Sequence, residues 1–153
     1  MINSSYMFQA NVQLYSDGGA RGNPGPAGYG FVIQSKSPSG AVKFLKKCGD
    51  YLGETTNNQA EYHGLLAGLR WLLDHQFQAA NLQIFLDSLL VVNQLTGKFK
   101  VKHPRLKPLW QQARTLLSQF SSSTIHHIPR HQNSLADHLA NLAMDQRGRV
   151  EID

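Results

Sequence analysis

The chain has 153 residues, enough for one domain with one core, and its 41% hydrophobic against 16% charged residues mark it as globular rather than disordered. Its net charge of +5 and pI near 9.5 are compatible with a polyanionic partner. No apolar run reaches the length of a membrane span, MINSSYMFQANVQLY lacks the pattern of a secretory signal, and the single cysteine, Cys48, excludes an internal disulfide, so a cytoplasmic setting is the default expectation.

Residues 10–16 (ANVQLYS) alternate apolar and polar, with Val12 and Leu14 on one face, and predict a first strand. The glycine- and proline-rich DGGARGNPGPAGYG that follows predicts a turn. Residues 29–35 and 41–48 predict two more strands, separated by a turn at Ser37-Pro38-Ser39-Gly40, so the first three strands form an antiparallel meander. From Asn57 to His75 the spacing changes to that of one helix face, with apolar positions 62, 65, 66, 69 and 73 and Thr55 or Thr56 as N-cap.

Residues 82–86 (LQIFL) predict a short buried strand, and a helix from Ser88 ends at Gly97. The basic linker KFKVKHPR leads to a helix whose stripe is Leu106, Leu109, Trp110, Ala113, Leu117 and Phe120. Trp71 and Trp110 read as core residues. Residues 124–128 predict a fifth strand. A last helix from Ser134 to Met144 carries Leu135, Leu139 and Leu142 inward, and RGRVEID reads as a loose tail.

Ten Asp and Glu residues are few for this length, and four stand at strand ends or on helices. Taken singly, each has an ordinary explanation. Asp17 is a turn residue, Glu61 and Asp137 are first-turn acids favoured by the helix dipole, and Asp87 is a cap. Their surroundings point elsewhere. YSDGGARGNPGPAGYG, TTNNQAEYHGLLAGL, FLDSLLVVNQLTG and HIPRHQNSLADHLANLA resemble the first-strand, first-helix, fourth-strand and last-helix motifs of type 1 ribonuclease H. The four stand in the family's order and span residues 12–144.

The resemblance implies an α/β, ribonuclease H-like fold: a five-stranded mixed sheet, its first three strands antiparallel, flanked by helices. The implied division is a 1–9 extension, a 10–147 catalytic domain and a 148–153 tail. It implies a monomeric endonuclease, free of membrane or obligatory protein partner, that hydrolyses the RNA strand of RNA–DNA hybrids to 5′-phosphate and 3′-hydroxyl ends. Activity on double-stranded RNA, or hybrid binding without catalysis, is the alternative.

Parallel neighbouring strands would bring Asp17 and Asp87 to one crevice. Unpaired carboxylates gathered there would repel and raise one another's pKa values, which divalent cations relieve. Oxygen-only ligands suit Mg²⁺ or Mn²⁺ rather than zinc. By resemblance, Asp17 bridges two ions roughly 4 Å apart, Glu61 and Asp87 complete one site, and Asp137 completes the other.

The implied substrate contacts are the Gly18-Gly19 backbone and Asn23, with Asn57, Asn58 and Gln59 around the 2′-hydroxyl and Thr56 on a DNA-strand phosphate. The chain has the short form of the last loop, where Arg130 and His131 both remain candidates for assisting turnover. Leu89 stands where many relatives carry a polar residue. The basic handle of some relatives is absent, leaving Lys98, Lys100 and Lys102 as the candidate phosphate grip.

Overall fold

The computed structural model describes residues 10–152, so the expected 1–9 extension lies outside the described residues. Strand β1 (Asn11–Ala20) pairs antiparallel with β2 (Gly25–Lys36), which pairs antiparallel with β3 (Val42–Thr55). Helix α1 (Asn57–Asp74) leads to β4 (Asn81–Leu86), which lies parallel to β1. Helices α2 (Leu89–Leu95) and α3 (Lys107–Leu117) precede β5 (Ser122–His127), parallel to β4. A 3₁₀ turn (Arg130–Asn133) runs into α4 (Ser134–Gln146), and β6 (Val150–Glu151) ends the order β5-β4-β1-β2-β3-β6.

The mixed α/β sheet is as expected, but it has six strands rather than five. The supposedly loose tail supplies the sixth. Val150 and Glu151 pair with Gly49 and Cys48, and Val150 is buried against Val32, Leu139 and Ala143. Two apolar residues, Val150 and Ile152, are too weak a signal to predict a strand.

Strand alternation divides the apolar residues between the two faces. Val12, Leu14, Phe31, Ile33, Leu82, Ile84 and Leu86 join the main core with α1, α2 and α3. Val32 meets α4 on the other face. Leu72, not Leu73, completes the fully buried stripe of α1. Trp71 and Trp110 pack at the rim of the core, only partly buried.

The larger correction concerns DGGARGNPGPAGYG. Only residues 21–24 turn; Asp17 to Ala20 continue β1, and β2 begins at Gly25. Several of these glycines serve close packing rather than a turn. A Cβ on Gly18 would stand 2.3 Å from the Ala60 backbone of α1, and one on Gly30 would stand 2.2 Å from the Ala136 carbonyl of α4. Both helices therefore approach the sheet more closely than any side chain allows.

Gly30→Ala is expected to lower unfolding free energy by about 1–3 kcal/mol through overpacking. Urea denaturation checks this, and an unshifted midpoint would show that α4 does not depend on the contact.

Candidate active site

The parallel ladder between β1 and β4 ends with Ser16 opposite Leu86. Asp17 and Asp87 are the next residue on each strand, so the register brings them together at the carboxyl ends of the strands. Ser88, not Asp87, caps α2, its Oγ accepting from the Val91 N–H. Asp87 is therefore released from the capping role that its position suggests.

Glu61 comes from the second turn of α1. That helix starts where Thr56 caps it, accepting from the Gln59 N–H at 3.2 Å. The Gln59 side chain turns back to accept from Thr55 and Thr56 at 2.7 and 3.0 Å. The Asn57 side chain accepts from the Ala20 N–H at 2.8 Å, and the Asn57 N–H donates to the Asn23 side chain at 3.0 Å. These two asparagines tie the β1–β2 turn to the start of α1, and that tie sets where Glu61 meets Asp17.

One carboxylate oxygen from each of Asp17, Glu61 and Asp87 lies within 4.8 Å of the other two. Asp17 and Glu61 are buried. Burial, followed by the Asp87 charge, pushes Asp17 up to about 7. Burial, followed by Asp17 and Asp87, holds Glu61 well above the usual carboxylate range. Asp137, on the first turn of α4, lines the same cleft of about 410 Å³ and raises Asp17 further, but stands outside the tight trio.

Among the ion pairs of the described residues, neither cation on the cleft wall is paired with the buried trio. Arg21 pairs with Asp145 at 2.6 Å, and Arg130 pairs with Asp137 at 3.8 Å. The buried Glu61 Oε2 has no hydrogen-bond partner. Converging carboxylate oxygens, one of them orphaned, fit a divalent cation, which removes the repulsion that burial intensifies.

Of the other sequence candidates, Gly18, Gly19, Asn57 and Arg130 line this cleft. Thr56, Gln59 and Asn23 serve the cap and turn instead, and half-buried Asn58 stands beside them on α1. His131 is exposed and off the cleft wall, and Lys98, Lys100 and Lys102 lie exposed in the segment between α2 and α3.

Asn133 is a site residue that no sequence motif marks. Its side-chain amide donates to the Ser16 carbonyl at 2.8 Å and to Asp87 Oδ2 at 3.2 Å. An asparagine just ahead of a helix reads as a cap, and no spacing rule shows that it points inward to β1.

Residues 15–143 match a family described as "Reverse transcriptase-like". The chain is 46% identical over 134 residues to "Bifunctional protein Rv2228c" of Mycobacterium tuberculosis, covering 88% of this chain and 35% of that protein. It therefore spans about a third of the length of this mycobacterial relative. It is 33% identical over 149 residues to "Ribonuclease H" of Hydrogenovibrio crunogenus, covering 88% of this chain and 96% of that protein. Among solved structures, that of LC11-RNase H1 in complex with RNA/DNA hybrid superposes with a TM-score of 0.81 at 38% identity, covering 90% of this chain and 99% of the other.

The cluster has a measurable cost without metal. Asp17 is raised from its ordinary 3.8 to about 7, so the folded state holds this proton more tightly than the unfolded chain does. By linkage, its charge costs no stability below 3.8, progressively more as pH rises, and the full amount above about 7. Asp17→Asn is expected to raise the metal-free melting temperature at pH 8 by several degrees and to flatten its decline across that window. A variant less stable than wild type at pH 8 would contradict the repulsion.

Proposed function

The chain belongs to the type 1 ribonuclease H family, and from that premise we propose that it is an endonuclease hydrolysing the RNA strand of RNA–DNA hybrids, leaving 5′-phosphate and 3′-hydroxyl ends. The observation that carries this reading is the convergence of Asp17, Glu61 and Asp87 within 4.8 Å at the strand ends. Asp17, Glu61 and Asp87 would hold one Mg²⁺ and Asp17 with Asp137 a second, with Mn²⁺ as the alternative; the all-oxygen donor set supports this choice. Bound there, the ions would lower the pKa of the attacking water and stabilise the departing 3′ oxygen.

The chain's own residues would orient the hybrid. Gly18 and Gly19 both line the cleft; Gly18 is packed against the Ala60 backbone of α1, while Gly19 has only Asn57 Oδ1 nearby and leaves the backbone open to close approach by a phosphate or ribose. Asn57 stands on the same wall, with Asn58, Gln59, Thr56 and Asn23 gathered around the start of α1. We assign this group to the minor groove, where the 2′-hydroxyl distinguishes RNA from DNA.

Between the two loop candidates, position favours Arg130. It lies on the cleft wall with its guanidinium 3.8 Å from Asp137, whereas His131 does not line the cleft. A strongly exposed cation beside the product phosphate suits product departure. Action as a monomer in the cytoplasm belongs to the same reading, and for the compartment the buried free thiol Cys48 suits a reducing one.

A labelled RNA–DNA hybrid incubated with Mg²⁺ tests the proposal. Wild type is expected to cut only the RNA strand, with Asp17→Asn reducing cleavage to background. An intact RNA strand at saturating metal would refute the enzyme reading.

Arg130→Ala is expected to slow turnover about tenfold, the value of one charge-assisted hydrogen bond of roughly 1.5–3 kcal/mol at its lower end. His131→Ala should stay near wild type, and the reverse ranking would transfer the role to His131. Neutralising Lys98, Lys100 and Lys102 together should flatten the salt dependence of hybrid binding by roughly 2–3 units of slope. An unchanged slope would make that segment a solvated loop.

A further inference from the structure

Asn133 occupies the N-cap position of α4 but makes no side-chain capping bond, and only 1% of it is exposed. A capping role therefore does not explain this residue. Its side chain instead points into the molecule, where one nitrogen, Nδ2, donates both to the Ser16 carbonyl and to Asp87 Oδ2. Its other polar atom, Oδ1, has no partner. The donating end of the amide alone carries the contacts.

Those contacts lie where the sheet stops controlling the site. Ser16 and Leu86 are the last residues that β1 and β4 pair with each other; Asp17 stays in the sheet, paired with Gly30 of β2, whereas Asp87 lies beyond the end of β4. Asp87 stands at the junction between β4 and the Ser88-capped α2. Nothing in the ladder dictates its side-chain rotamer, while the neighbouring Asp17 charge repels it. We infer that Asn133 is a positioning residue for the metal-binding cluster: its amide ties the Asp87 carboxylate to the β1 backbone and so holds it in register with Asp17. This inference rests on the proposed metal-dependent reading of the site.

The residue type follows from the task. Both contacts require N–H donors, and an amide nitrogen has two, which is the number used. A serine has one donor and a leucine none. A lysine or arginine would also donate, but its charge would compete with the cation that the trio is built to hold. Asn133 steadies a carboxylate and leaves its charge available. It also couples α4, which carries Asp137, to the β1–β4 crevice, so the two halves of the acidic site share one anchor.

Metal binding measured without substrate tests this on the full chain. Mg²⁺ would be titrated calorimetrically and by its effect on melting temperature for wild type, Asn133→Ala and the volume-conserving Asn133→Leu. Both variants are expected to bind at least tenfold more weakly, the usual scale for losing a group that orients a metal ligand. Asn133→Gln, which keeps both donors, should recover part of that loss. On the hybrid, the variants should show reduced kcat that recovers at high Mg²⁺, with KM unchanged.

A merely structural tether would lower the metal-free melting temperature and leave Mg²⁺ affinity at the wild-type value. That result in either folded variant would overturn the inference while leaving the proposed function standing. Wild type that binds no divalent ion would overturn both.

Discussion

The parallel pairing of β1 with β4 is the constraint on which the site depends. A parallel ladder places equivalent strand ends side by side, and this one stops at Ser16 and Leu86. Two aspartates immediately beyond that boundary must meet, whatever the rest of the chain does. Their proximity is unfavourable in itself, and burial makes it more so, since desolvation is the first cause of the rise in Asp17. The fold tolerates this only because hydrophobic burial beneath the crevice is extensive. Leu14, Leu65, Leu66, Leu69, Ile84 and Leu86, all in the main core shared by β1, α1 and β4, are essentially inaccessible.

The other site groups arrive on helices, and the helices arrive because the sheet lacks side chains where they cross. Gly18 admits α1, and Gly28, Gly30 and Gly49 admit α4. On α1 the accommodation is mutual, for a Cβ on Gly64 would stand 3.0 Å from the Asp17 carbonyl. Glu61 and Asp137 thus come from opposite faces of one sheet into one cleft. A Cβ at Gly18 or Gly30 would stand only 2.3 or 2.2 Å from helix backbone, and glycine is the residue that permits the approach.

A buried polar network fixes α2 against the other helices. Tyr62 of α1 donates to the Gln94 side chain at 2.6 Å, and the Trp110 indole of α3 donates to the Gln94 carbonyl at 3.1 Å. Arg114 donates to the Leu95 carbonyl at 3.2 Å. Short as it is, α2 is thereby held by both neighbours, and with it the β4–α2 junction that carries Asp87. Partnered polar groups in a core define a single arrangement more sharply than apolar contacts do, because each has few acceptable geometries.

By itself the sequence determined the order and type of the main elements, since those follow from local periodicity and caps. It also determined the acidic residues at the crevice, because four ordered motifs outweigh four ordinary explanations. Tertiary structure decided the rest. The glycines of residues 17–30 read as a turn because their conformational freedom is a local property, whereas the helix backbones that exclude a Cβ there come from residues far along the chain. Val150 became a strand only because β3 offered an edge with an apolar pocket beside it. Asp137 lies in the same cleft as the trio yet outside its 4.8 Å cluster, a distinction that depends on where α4 rests on Gly30. The inward turn of Asn133 was equally illegible, because a cap and an anchor share one residue type and one position ahead of a helix, and only the backbone folded beneath it separates them.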